Sequence, residues 1–206
     1  MKTALSDKVI NRLTLYHSIL TGYIGKGIEN ITSPQIAGLL KVDASQVRKD
    51  IKLLNNAGIC KVGYSVKELK KSIEKTLGFE NTKEAFIVGA GNLGLALAKY
   101  DNFAPYGLEI LALFDNDPLK VGLATNNKQV FHISKLPDLT ERLNVSIAVL
   151  TVPGSFAQEV ADLLIESGIK YIWNFSSCIL EVPPEVQVWN ENLIGNFLQF
   201  TVNRNS

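Results

Sequence analysis

The stretch Phe86-Ile-Val-Gly-Ala-Gly-Asn-Leu-Gly94 decides how the second half of this chain folds. Phe86, Ile87 and Val88 form an unbroken apolar run, as in a strand buried on both faces, and glycines follow it in the spacing GxGxxG. Gly89 permits a tight turn, Gly91 lets a ligand approach the backbone, and Gly94 lets the next helix lie close to the strand. Gly89, Ala90, Gly91, Asn92, Leu93 and Gly94 together form a cradle suited to a pyrophosphate, with the amides leading into a helix over Leu95 to Tyr100 as donors. The spacing alone also suits an ordinary strand-to-helix turn. Asp115 adds weight to the first reading: it lies 21 residues beyond Gly94 and ends the run Glu109 to Phe114. A carboxylate there accepts bonds from adenine-ribose hydroxyls and repels a 2′-phosphate, so NAD(H) is expected over NADP(H). Asp115 by itself also fits a turn-forming acid ahead of Asn116-Asp117-Pro118.

Outward from this motif, apolar runs at 85–89, 109–114, 146–152, 171–175 and 186–189 predict strands. The intervening segments have helical periodicity. Between the third and fourth strands Ser155 and Gln158 suggest a capping box and Gly168 a helix stop. Buried strands alternating with amphipathic helices predict an α/β, doubly wound parallel sheet of the Rossmann type over residues 79–189. In such sheets ligands bind beyond the carboxyl ends of the strands. Thr151, Val152, Pro153, Asn174 and Phe175 are therefore expected in the walls of a nicotinamide pocket, although each also fits plain loop chemistry.

Residues 1–78 read differently. Ile10, Leu13, Tyr16 or His17, and Leu20 recur at helical spacing from Asp7 to about Tyr23. Ser33 before Pro34 suggests the start of a short second helix, and Asp43 with Gln46 that of a third, running to Ala57-Gly58. Two short helices across a tight turn predict a helix-turn-helix, and the Gly-punctuated stretch 58–66 is the size of a wing hairpin. A charged helix over Lys67 to Thr76 leads to the junction. On the third helix Ser45, Gln46, Arg48, Lys49 and Lys52 are expected to face outward while Val47 and Ile51 point inward. Arginine, lysine, glutamine and serine address base edges and phosphates, although the same pattern also suits a solvated helix face. Charge favours the first reading. Residues 1–76 carry 13 Lys and Arg against 6 Asp and Glu, whereas residues 77–206 carry 8 against 14.

Other classes fit poorly. The two cysteines, Cys60 and Cys178, match no metal-ligand spacing and are read as reduced thiols, so no metal is expected. No apolar run reaches the ~18 residues of a membrane span, and the start MKTALSDKVINRL lacks a signal-peptide centre, which makes a cytoplasmic protein the expectation. A dehydrogenase needs a substrate pocket and a proton donor beside the nicotinamide. The histidines are His17, in the first helix, and His132, which reads as a strand-end cap, and the segment 190–206 is too short for a substrate domain. A non-enzyme is expected, with a small NAD-dependent oxidoreductase as the alternative.

The whole chain resembles the Rex family of redox-sensing transcriptional repressors. The matching stretches are INRLTLY (10–16), ASQVRKD (44–50), VGY (62–64), IVGAGNLGLALAKY (87–100), FDNDPLKVG (114–122), AVLTVPGSFAQEVADLLIESGIK (148–170) and NF (174–175). The resemblance implies a homodimer whose two winged helices sit on a pseudo-palindromic double-stranded operator when NAD+ prevails and leave it when NADH binds. It also implies that the helix Asn192 to Val202, within a C-terminal dimerisation segment 190–206, is exchanged between subunits. That helix's apolar stripe, Leu193, Ile194, Phe197 and Leu198, equally suits packing on its own subunit. The resemblance places Lys61 and Tyr64 of the wing on DNA, and assigns Arg12, Tyr100 and Asn192 to a polar switch. The chain departs from the family in three places: Cys60 and Lys61 replace a wing arginine and glycine, Asn192 replaces an acid, and Ser177 replaces a proline. A DNA-binding relative that ignores the cofactor is the second alternative.

Overall fold

A computed structural model of the chain describes residues 5–54, 58–59 and 62–202. It divides into two compact units between Asn81 and Thr82, three residues beyond the boundary expected from sequence.

The first unit contains α1 (Asp7–Gly25), β1 (Asn30–Ile31), α2 (Ser33–Leu40), α3 (Ala44–Leu53), β2 (Tyr64–Ser65) and α4 (Val66–Leu77). Leu13, Tyr16 and Leu20 of α1 are fully buried with Ile36 of α2, Val47 and Ile51 of α3, and Leu69 and Ile73 of α4. Burial of each such apolar side chain contributes about 1.5–3 kcal/mol, which makes the α1 stripe the spine of this unit. The cap of α2 is Thr32, not Ser33. Its hydroxyl accepts from the Gln35 amide while Gln35 Oε1 accepts from the Thr32 amide at 2.8 Å, so the glutamine three positions on selects the threonine. Lys41, in the left-handed region at φ 54°, closes α2, and Asp43 opens α3 by accepting from the Ser45 amide at 2.7 Å. This is the predicted helix-turn-helix. The described part of α3 ends at Leu53, short of the predicted stop, and residues 55–57 lie outside the described residues.

In the wing, Ile59 pairs with Gly63, and Tyr64–Ser65 pairs antiparallel with Asn30–Ile31, a strand too short to show in the periodicity. Gly63 has φ +99°, and a Cβ on it would stand 2.4 Å from the Ile31 carbonyl oxygen, so this close approach requires glycine. Cys60 and Lys61 lie outside the described residues.

The second unit contains β3 (Lys83–Val88), α5 (Asn92–Ala98), a 3-10 turn (Asp101–Tyr106), β4 (Leu108–Asp115), β5 (Ala124–Thr125) and β6 (Lys128–His132). It continues with α6 (Leu136–Leu143), β7 (Ile147–Leu150), α7 (Gly154–Glu166), β8 (Tyr171–Asn174), β9 (Gln187–Asn190) and α8 (Leu193–Val202). The described strands form one sheet in the order β5-β6-β4-β3-β7-β8-β9, parallel except for the edge strand β5. Side chains of β3 alternate between two cores: Phe86 and Val88 pack with Phe114, Leu150 and Ala161, whereas Ala85 and Ile87 pack with Leu113 and Val149. Both faces are covered, as in a doubly wound fold.

The five predicted strands are present within two residues of their expected ends. The sequence reading missed β5, β6 and α6. Lys128–His132 has one buried residue, Val130, so it lacked the apolar run that marked the others. His132 ends β6 and accepts from the Ser134 amide, the strand-end capping role expected of it. The capping box predicted for α7 does not form. Pro153 precedes the helix without a side-chain cap, and Gln158 instead donates to Asp162 and the Glu181 carbonyl.

Candidate dinucleotide cleft and DNA-facing helix

The order of reversal in the sheet lies between β3 and β7, and the candidate cleft opens there, at the carboxyl ends of β3, β4 and β7. Its volume is about 750 Å³. Gly89 leaves β3 at φ +105°, and a Cβ on it would lie 2.8 Å from the Thr151 carbonyl carbon and oxygen. A Cβ on Gly94 would lie 1.9 Å from the Gly89 carbonyl oxygen, so α5 reaches its seat only with glycine at that position. A Cβ on Gly91 meets nothing within 4 Å: its face is open to the cleft. The three glycines thus divide the tasks of turn, close helix packing and open backbone in the way their spacing predicts. Thr151 fastens the turn, its hydroxyl donating to the Gly89 carbonyl at 2.8 Å and its amide to the Val88 carbonyl at 2.8 Å. Ala90 is buried, while Asn92 and Leu93 are exposed.

Asp115, at the end of β4, is buried and faces the same turn. Oδ2 accepts from the Ala90 amide at 2.8 Å and from Lys120 Nζ at 3.0 Å, and Oδ1 accepts from the Asp117 amide at 2.9 Å. Burial alone would raise this carboxyl, but the bonds from Asp117, Lys120 and Ala90 outweigh it and hold the group below the usual carboxylate range. The ionised carboxylate keeps an open acceptor position on Oδ1. Beside it Ile133, Val152, Phe156, Val160 and Leu163 give the cleft an apolar wall. A carboxylate next to an apolar slot and an open glycine backbone fits the ribose, ring and pyrophosphate of an adenine dinucleotide. The sequence reading missed Lys120 and Phe156. Lys120 was in view within FDNDPLKVG, five residues after Asp115, but nothing in the spacing identified their ion pair.

The expected nicotinamide wall is built less directly. Val152 is half-buried and Pro153 exposed at the mouth of the cleft. Asn174 is fully buried and its side chain is saturated: Nδ2 donates to the Cys178 carbonyl and to Asn190 Oδ1, and Oδ1 accepts from the Ser176 amide and hydroxyl, all within 2.7–2.9 Å. An amide has two donors and two acceptor positions, so Asn174 shapes the 174–178 loop and has none left for a ligand. Phe175 packs on Trp173, with ring centroids 4.9 Å apart.

On α3, Ser45, Arg48, Lys49 and Lys52 are exposed as expected. Gln46 is not. It is half-buried, and its amide donates to Asp50 Oδ1 at 2.9 Å. Asp50 also receives Arg12 Nε at 2.6 Å, Arg12 Nη2 at 2.8 Å and the Tyr16 hydroxyl at 2.8 Å. Burial pushes the Asp50 carboxyl upward, and these donors with the Arg12 charge bring it below the usual range. Burial beside Asp50 raises the Tyr16 phenol. Tyr64, placed on DNA by the resemblance, is half-buried. A Cβ on Gly58 would lie 2.8 Å from its ring, and its hydroxyl is 3.5 Å from Ser33 Oγ.

The residues of the expected polar switch each have a partner within their own unit. Arg12 belongs to Asp50, Tyr100 lies edge-on to Phe103 at 4.9 Å, and Asn192 Oδ1 accepts from the Gly195 amide at 2.8 Å, capping α8. Among the described residues no metal-binding cluster occurs, and no helix is long and apolar enough to cross a membrane.

Comparison with known proteins agrees with this division. Residues 4–51 match the family described as "Putative DNA-binding protein N-terminus", and residues 80–178 the family described as CoA binding domain. The redox-sensing transcriptional repressor Rex of Desulfitobacterium hafniense is 40% identical over 98% of this chain and 97% of its own length. That of Clostridioides difficile is 40% identical over 92% of this chain and 90% of its own length. The crystal structure of RSP, a Rex-family repressor, in complex with β-NAD+ and operator DNA superposes with a TM-score of 0.89 at 34% identity, covering 98% of this chain and 94% of that one. RSP with β-NADH gives a TM-score of 0.88 at the same identity, covering 98% and 95%. These relatives are repressors, not enzymes, and their likeness spans residues of both units. With that identity running through both units, the chain belongs to the Rex family of redox-sensing transcriptional repressors.

Proposed function

We propose that this chain is a cytoplasmic, homodimeric repressor that holds a pseudo-palindromic operator when NADH is scarce and releases it when NADH is abundant. One observation carries the reading: a single chain joins a basic recognition helix to a cleft in which the open Gly91 backbone stands beside the ionised Asp115. Solved relatives that hold NAD+, NADH and operator DNA support it.

Gly89, Gly91 and Gly94 would seat the pyrophosphate, and Asp115 Oδ1 would accept from a ribose hydroxyl. Phe175 and Pro153, with the partner's α8, would offer an apolar surface to the nicotinamide. The reduced ring is uncharged and the oxidised ring carries a positive charge, so an apolar surface favours the reduced form. Only that difference in affinity shifts the dimer, with a coupling on the order of 1–3 kcal/mol. Arg48, Lys49, Lys52 and Ser45 would meet phosphates and base edges, and closure of the cleft would move the two recognition helices out of register with successive major grooves. The exposed stripe of α8, where Ile194 is 70% and Phe197 60% exposed, supports exchange of that helix between subunits.

The test is fluorescence anisotropy of a labelled duplex with Rex-type half-sites, titrated with NADH and separately with NAD+ at fixed salt. Release by NADH and not by NAD+ is expected. Binding indifferent to both would assign the chain to a DNA-binding relative that ignores the cofactor.

A further inference from the structure

Asp115 is not the only charge at its end of the cleft. The Lys120 ammonium stands 3.0 Å from Asp115 Oδ2 and 3.8 Å from Asp117 Oδ2, and Lys120 lines the cleft with its side chain 36% exposed. An ammonium has three donors, and among the described residues one of them is used, by Asp115. A carboxylate oxygen accepts two bonds, so Ala90 and Lys120 fill Oδ2, while Oδ1, bonded to the Asp117 amide, keeps one place. The carboxylate that receives a ribose hydroxyl and repels a 2′-phosphate therefore has at its side a cation with spare donors, able to draw a phosphate in.

We infer that Lys120 is a specificity-determining residue for the adenine-ribose substituent: by filling Oδ2 it leaves Oδ1 for the hydroxyl, and its charge limits how strongly Asp115 rejects a 2′-phosphate. The inference rests on the reading that this cleft takes NAD(H). Two opposed charges 3.0 Å apart act on an incoming phosphate with opposite sign, so removal of either one moves discrimination in the opposite direction from removal of the other. Loss of Lys120 makes the site stricter. Loss of the Asp115 charge makes it permissive.

The experiment titrates the full-length protein with NADH and with NADPH, following the fluorescence of the reduced ring, for the wild type, Lys120→Met, Asp115→Asn and Lys120→Arg, with thermal melts alongside. The wild type is expected to prefer NADH. Lys120→Met should widen the NADH-to-NADPH affinity ratio by about tenfold, Asp115→Asn should narrow it by about tenfold, and Lys120→Arg should leave it near the wild-type value. A purely structural Lys120 would weaken both dinucleotides equally, and a ratio unchanged in Lys120→Met overturns the inference while leaving the cleft assignment in place. Should Lys120→Met fail to fold, Lys120→Gln, which also removes the charge, makes the same comparison, and a ratio unmoved by it overturns the inference. Binding of neither dinucleotide by the wild type overturns the cleft assignment itself.

Discussion

Arg12 and Asp50 lie 38 positions apart and meet through two hydrogen bonds of 2.6 and 2.8 Å, tying the first helix to the recognition helix. Asp50 is almost wholly buried, so its charge depends on Arg12, Tyr16 and Gln46 for compensation. Arg12→Met leaves a buried carboxylate with neutral donors only. Removing one partner of a buried pair costs about 3–5 kcal/mol, and urea unfolding of the first unit should show a loss of that order.

The same pair gives a pH dependence. With its pKa in the folded protein below the unfolded value of about 3.9, Asp50 contributes stability that is present above that value and lost as the pH falls through the folded value. Without Arg12 the upward push of burial is opposed by Tyr16 and Gln46 alone, and the loss is expected to begin at higher pH. Circular dichroism during acid titration should place the transition of Arg12→Met above that of the wild type. An unmoved transition would mean that Tyr16 and Gln46 suffice.

Gln46 read as DNA-facing because helical periodicity separates inward from outward positions by polarity, and a glutamine reads as outward. Arg12 came to a switch through the family resemblance and not through periodicity. The bonds of both residues depend on Asp50, itself a charged residue at a buried position, which no periodicity announces. The glycine turn was legible because each glycine meets a separate steric demand, visible as spacing. The sheet was legible where apolar runs mark the buried strands β3, β4 and β7, and illegible at β6, where one residue of five is buried. Asn174 was placed correctly at a strand end. Its saturation by Cys178, Asn190 and Ser176 depends on the path of the loop and not on residue type.

Gly94 tests the turn. A Cβ 1.9 Å from the Gly89 carbonyl oxygen must displace α5, and the obstacle is backbone, which gives less easily than a side chain. Gly94→Ala should cost about 1–3 kcal/mol and weaken NADH binding more than tenfold, since the turn that would hold the pyrophosphate moves with the helix. Thermal melts and NADH fluorescence measure the two effects, and an alanine variant that binds NADH normally would refute the steric account.

On α8 the relevant property is exposed apolar area. Ile194→Glu with Phe197→Glu places two like charges on the stripe that would cover a partner. Burying an unpaired carboxylate is unfavourable by several kcal/mol, so light scattering should show a dimer becoming a monomer, with operator affinity falling as the second half-site contact is lost. A variant that remains dimeric would place the interface elsewhere.

The recognition helix separates phosphate contact from internal bracing. Lys49 and Lys52 are exposed, so each phosphate contact they make releases a counterion and adds about 0.9 to the slope of log affinity against log salt. Lys49→Ala should lower that slope by roughly one and weaken all duplexes alike. Arg48→Ala should do the same if it meets a phosphate, but if it meets a guanine edge it should cost about 1–3 kcal/mol on the operator and little on an unrelated duplex. Gln46→Ala removes a donor to Asp50, so it should lower the stability of the unit by about 1 kcal/mol without changing the salt slope. If Gln46→Ala instead relaxed discrimination at one base pair without loss of stability, its amide would have to leave Asp50 on DNA, and the brace seen here would belong to the unbound state alone.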